Sequence, residues 1–157
     1  MSSWTHTPTL ARRGALLRKK EAERRAILAT VPLFASLPPR QLRRVAAVSA
    51  VLDFPEGEEV VKEGQAGSTF YVIAEGAAKA VRGGRTVGRL EAGRFFGELA
   101  VLGGTPRTAS VITTEPTTCV VLSSKNLQKV LREEPAVALQ ILGYLAHRLA
   151  EAERPTC

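Results

Sequence analysis

The chain has 157 residues, 45% apolar and 24% charged, with 22 Lys and Arg against 15 Asp and Glu and a formal charge of +7. That length supports one domain with a real core, and no run of roughly 18 apolar residues or secretory h-region stands in it to suggest a membrane span or an export signal. Two cysteines, Cys119 in an apolar run and Cys157 at the end, and two isolated histidines, His6 and His147, exclude a disulfide framework and give no metal-ligand spacing, so a reducing cytoplasm is the expected setting.

Residues 1–30 read as an arm and a helix apart from the domain that follows. Met1 to Thr9 is polar and loose. Leu10 to Thr30 has helical spacing, with Leu16, Leu17, Ile27 and Leu28 as a thin apolar stripe. Arg12, Arg13, Arg18, Lys19, Lys20, Arg24 and Arg25 concentrate the excess charge here. Two readings stand: a solvated helix docked by a few leucines, or a basic helix for an acidic partner, nucleic acid or an anionic membrane. No aromatic side chain runs along it, which weakens the nucleic-acid version.

Val31 to Leu37 reads as a turn, and Pro38-Pro39 opens a helix through Leu42, Val45, Ala46 and Val48. A β-rich block follows. Val51–Phe54, Glu59–Lys62, Thr69–Ala74, Ala77–Arg82, Arg85–Leu90, Thr108–Thr113 and Thr118–Leu122 alternate or run apolar, with turns at Pro55-Glu56-Gly57, Gly64 to Gly67, Glu75-Gly76 and Gly83-Gly84. Short strands at even spacing predict a sandwich or small barrel, whose tight corners favour glycine at positive φ. Ser123-Ser124 then reads as an N-cap for a helix through Leu127, Val130 and Leu131. Pro135 opens a last helix, with Ala138, Ile141, Leu142, Leu145 and Leu149 as its expected core stripe.

The chemistry concentrates in Phe95 to Val111, FFGELAVLGGTPRTASV. Gly97 and Glu98 open a short helical pattern to Leu102, and Gly103-Gly104-Thr105-Pro106 breaks it. Free N–H groups at a helix start, a glycine allowing close approach and the planar fork of Arg107 together suit an anion with paired oxygens. Glu98 accepts hydrogen bonds and would repel phosphate, so it suits a sugar hydroxyl. Thr108 and Ser110 add neutral hydroxyls beside Arg107. No general acid–base pair, nucleophile–His pair or metal set accompanies them, so a binding site rather than an enzyme is expected.

Phe96-Gly97-Glu98-Leu99-Ala100 and Pro106-Arg107-Thr108-Ala109-Ser110-Val111 resemble the phosphate-binding cassette of the cyclic nucleotide-binding domain family. The likeness extends from the Val31 to Leu42 entry, through Gly57, Gly64, Gly67 and Gly76, to the last helix near Leu149. It implies a mainly β fold with flanking helices (a jelly roll with N-terminal helices and a C-terminal hinge and lid helix) over residues 31–157. It further implies no cofactor but a 3′,5′-cyclic nucleotide, with cyclic AMP favoured and cyclic GMP second. Arg107 would pair with the cyclic phosphate, the amides near Leu99 and Ala100 would face the same group, and Glu98 would take the ribose 2′-hydroxyl. Thr108 would sit by phosphate or base. Gln140, Tyr144, His147 and Arg148 are the lid-helix candidates for reading the base. No helix-turn-helix is expected after Leu149, which leaves a sensor acting on a partner in trans as the favoured reading, beside a ligand buffer or a fragment of a longer chain, with a homodimer through the last helix as one form. The alternative is a docking or nucleic-acid module that uses the basic N-terminal helix without ligand.

Overall fold

The computed structural model describes residues 21–97 and 102–152. Among the described residues three helices come first: α1 (Glu21–Leu28), α2 (Pro32–Ala35) and α3 (Pro39–Ala47). Eight strands follow: β1 (Ala50–Phe54), β2 (Glu59–Val61), β3 (Thr69–Glu75), β4 (Ala77–Arg82), β5 (Arg85–Glu91), β6 (Phe95–Phe96), β7 (Ser110–Thr113) and β8 (Thr117–Ser123). Helices α4 (Ser124–Glu133) and α5 (Pro135–Ala152) close the described chain. The part of the expected first helix before Glu21 and most of the helical pattern from Glu98 to Leu102 lie outside the described residues.

The strands form two four-stranded antiparallel sheets, in the orders β1-β8-β3-β6 and β2-β7-β4-β5. The first sheet is buried on both faces, and its alternation shows how. Phe70 and Val72 of β3, with Val120 and Leu122 of β8, pack against the helices. Tyr71 and Ile73, with Cys119 and Val121, face the other way into the sandwich. A strand enclosed on both sides reads as a continuous apolar run, which is why Thr69–Ile73 shows no polar alternation. The second sheet keeps one face in solvent, and β5 is correspondingly polar.

The helices pack as their caps and stripes dictate. Ser123 Oγ accepts the Asn126 N–H at 3.1 Å, a cap that contributes about 1 kcal/mol. Pro135 opens α5, and the carbonyl of Glu134 accepts the N–H groups of Val137 and Ala138. Leu28 of α1 is fully buried in the helical core, and Arg24 Nε donates to the Ala46 carbonyl of α3 at 3.2 Å. The end of α1 is therefore fastened to the body.

Two expectations are corrected here. Pro32–Ala35 is a single helical turn rather than an open turn, with Val31, Leu33 and Phe34 buried beneath it. On α5 the buried residues are Val137 and Ile141, with Tyr144 and Leu145 partly buried, whereas Leu142 and Leu149 are exposed. Leu139 is exposed as well. The sheet, α2 and α4 together cover only one side of α5, so a stripe wider than that side cannot all become core.

Cys119 is a free, buried thiol. Burial pushes it far above its ordinary value of 9.0, and the charge of Asp53 adds to the rise. The unfolded chain releases this proton above about pH 9 while the folded one holds it, so stability should fall as pH rises past that point. Thermal melts from about pH 8 upward should show the fall, and Cys119→Ala should remove its thiol-dependent part at some cost in packing. A slope unchanged by the substitution would assign the loss to other groups.

Candidate functional site

Backbone geometry places Arg107 before any side-chain chemistry is considered. Its N–H donates to the Gln65 carbonyl at 2.9 Å, and its carbonyl accepts the Gly64 N–H at 2.8 Å. The segment after Pro106 is thus clipped to the turn before β3. The guanidinium then runs inward, where Nη2 donates to the Thr69 carbonyl at 3.0 Å and Nη1 lies 3.5 Å from the Gly97 carbonyl. Only 6% of Arg107 is exposed.

Two glycines make this placement feasible, for different reasons. A Cβ at Gly67 would overlap the Arg107 guanidinium, so that position is kept open by packing. Gly67 is not among the positive-φ glycines, which corrects the expectation that it serves a corner. Gly97 does have positive φ, at +92°, and a Cβ there would lie 2.6 Å from the Thr69 carbonyl oxygen and 2.8 Å from Arg107 Nη1.

A cavity of about 280 Å³ opens beside these groups, between β4, β5, β6, the segment before β7, and α5. That is near the lower end of the roughly 300–1,000 Å³ of small-molecule sites, so it suits one compact ligand. Arg107, Gly97, Thr108 and Ala109 all line it. Of the eight residues at 97–100 and 107–110, four thus converge on one cavity. Glu98, Leu99 and Ala100 lie outside the described residues. Ser110 does not belong to the lining: it is buried, and its Oγ accepts the Glu63 N–H at 2.9 Å, tying β7 to the end of β2. Strand alternation puts Ala109 and Val111 on the cavity side and turns Ser110 to the other face of its sheet.

The far wall is less legible in the sequence. Arg82, Arg89 and Arg94 line the cavity, as do Tyr144 and Arg148 of α5. Arg82 Nε donates to the Thr108 carbonyl at 3.0 Å, bracing the segment after Arg107. Of the four lid-helix candidates, Tyr144 and Arg148 face the cavity. Gln140 Nε2 instead donates to the Leu33 carbonyl at 3.3 Å, and His147 pairs with Glu151 at 3.6 Å. Helical spacing explains the selection, since Ile141, Tyr144 and Arg148 share the face toward the sheet.

The electrostatics favour an anion. The cavity has five lining arginines and, among the described residues, no lining Asp or Glu. Burial pushes the Tyr71 hydroxyl far above its usual range, with the Arg107 charge pulling it back, so Tyr71 remains neutral beneath the site. Its ring stacks on that of Phe96, which lines the cavity, with centroids 4.8 Å apart. Among the described residues no group of three His, Cys, Asp or Glu could hold a metal ion.

Related proteins share both the sequence pattern and the architecture. A cGMP-dependent protein kinase of Toxoplasma gondii is 38% identical over 110 residues, which are 70% of this chain and 11% of that kinase. A cAMP-dependent protein kinase regulatory subunit of Hypocrea atroviridis is 35% identical over 104 residues, 66% of this chain and 22% of that subunit. The chain therefore spans only a small part of either relative. The crystal structure of the Thermus thermophilus catabolite activator protein superposes with a TM-score of 0.71 at 31% identity, covering 78% of this chain and 60% of that one. The model of the cyclic nucleotide-binding domain matches residues 51–134, from β1 to the end of α4 and across the whole sandwich, and the chain belongs to that family.

Proposed function

We propose that this chain binds a 3′,5′-cyclic nucleotide monophosphate in the arginine-lined cavity and acts as a sensor without catalysis of its own. The observation that carries this reading is Arg107, a permanent charge nine-tenths buried at the cavity wall, with Gly97 open beside it. The planar fork of a guanidinium suits two oxygens of one phosphate, and the Thr69 and Gly97 carbonyls fix its position here. In this reading Glu98 takes the ribose 2′-hydroxyl and the amides near Leu99 and Ala100 complete the phosphate cradle. Thr108 and Ala109 flank the phosphate, and the base lies toward Tyr144.

The same reading makes α5 the output. One face of it meets the cavity through Tyr144 and Arg148, while its outer edge exposes Leu139, Leu142 and Leu149 to a partner in trans, a second copy being one such partner. Ligand that draws Tyr144 inward moves that edge. The free thiol of Cys119 accords with a cytoplasmic setting.

Calorimetry of the protein with cyclic AMP, cyclic GMP and cyclic CMP tests the assignment. Saturable heat with at least one, lost on Arg107→Ala, is the expected result. Absence of heat with all three would overturn it.

A further inference from the structure

The part of the cavity under α5 carries an arrangement that a phosphate site does not need. Tyr144 packs edge-on against Phe95, with ring centroids 4.7 Å apart. Arg94 and Arg148 both lie over the Tyr144 ring, their Cζ atoms 5.3 Å and 5.7 Å from its centroid, within cation–π range. Arg94 Nη2 also reaches the Tyr144 hydroxyl at 3.5 Å. Two guanidiniums from different elements, β6's approach and α5, are thus gathered on one aromatic ring at the cavity mouth. Arg107 stands apart from them, engaged with Thr69 and Gly97.

The chemistry of these groups is one-sided. Arginine has five N–H donors and no acceptor. Among the described residues, no Asp, Glu, Asn or Gln side chain lines the cavity, and the side-chain acceptors there are the hydroxyls of Thr108 and Tyr144. Guanine presents two adjacent acceptors, O6 and N7, on the edge where adenine presents an acceptor beside an amino donor. A donor-rich mouth satisfies guanine and sets the adenine amine against other donors, leaving polar groups unpaired.

We propose that Arg94 and Arg148, held against Tyr144, read the O6 and N7 edge of guanine and make this site selective for cyclic GMP. This rests on the cyclic nucleotide reading above, and it reverses the preference for cyclic AMP expected from sequence. The sequence directs attention to Thr108, whose hydroxyl addresses the 2-amino group on the other edge of guanine. The arginine pair addresses the edge where guanine O6 stands in place of the adenine amino group.

Competition binding with cyclic GMP, cyclic AMP and cyclic IMP tests it, because inosine keeps O6 and N7 but lacks the 2-amino group. The wild-type protein should bind cyclic GMP and cyclic IMP roughly tenfold or more tighter than cyclic AMP. The double variant Arg94→Gln, Arg148→Gln should bring all three within roughly threefold of one another, mainly by weakening the first two. Both arginines are exposed, so the fold should persist, and circular dichroism of the variant checks that. Cyclic AMP binding as tightly as cyclic GMP would overturn the selectivity, as would a guanine preference unchanged in the double variant. Cyclic IMP behaving like cyclic AMP would place the reading at the 2-amino group and remove the arginine pair from it. Binding of none of the three would defeat the underlying cyclic nucleotide assignment as well.

Discussion

Arg107→Ala should cost roughly 30- to 1,000-fold in cyclic nucleotide affinity, the equivalent of about 2–4 kcal/mol for a buried, charge-assisted phosphate contact. It should also lower stability, and the structure gives the reason. Arg107 Nη2 donates to the Thr69 carbonyl, which lies among buried residues at the start of β3. Truncation leaves that carbonyl without this donor, at about 1–3 kcal/mol. Arg107→Lys separates the two effects. The ammonium keeps the charge and can reach one acceptor, but it loses the paired geometry. Stability should largely return while affinity stays at least tenfold down. Titration calorimetry and thermal melts on the same samples read both quantities. Wild-type affinity in Arg107→Ala would remove the phosphate from this wall of the cavity.

The second large effect is expected at Gly97, through shape rather than charge. Alanine there meets two obstacles: φ of +92° strains any L side chain, and the new Cβ falls 2.6 Å from the Thr69 carbonyl oxygen. Stability should fall by about 2–4 kcal/mol, from conformational strain and forced repacking together. Affinity should fall as well, because the same Cβ sits 2.8 Å from Arg107 Nη1 and displaces the guanidinium. Gly57→Ala is the matched control. Its φ is +82°, yet a Cβ there meets nothing within 4 Å. It should cost about 1 kcal/mol of strain and leave ligand affinity unchanged. If Gly57→Ala and Gly97→Ala prove equally destabilising and equally able to bind, close approach to Thr69 and Arg107 has no functional weight.

What the linear chain determined was the elements and one half of the site. Strands from β1 to β8 follow from short apolar runs between glycine and proline punctuation. Only β6 escapes notice, since two phenylalanines beside Gly97 are too short a segment to show a period. Ser123 and Pro135 mark their helices because capping is a local matter of one or two residues. Gly97, Arg107, Thr108 and Ala109 are legible for the same reason: they lie within a dozen or so residues of one another, joined by a glycine turn, and local spacing alone brings them together. Tertiary structure decided the rest. Gly67 reads as a corner glycine until Arg107, far along the chain, is seen to occupy its missing side chain's place. Ser110 reads as a site hydroxyl until strand pairing turns it toward Glu63. Leu142 and Leu149 read as core, but the side of α5 that meets the sheet is set by how the helix docks, and apolar character alone does not specify that angle. The same docking selects Tyr144 and Arg148 over Gln140 and His147 and sets them beside Arg94, some fifty residues away in sequence. Period and punctuation act over a few residues, whereas the wall that faces the base is assembled from strands and a helix that meet only when two sheets and the helical layer have packed.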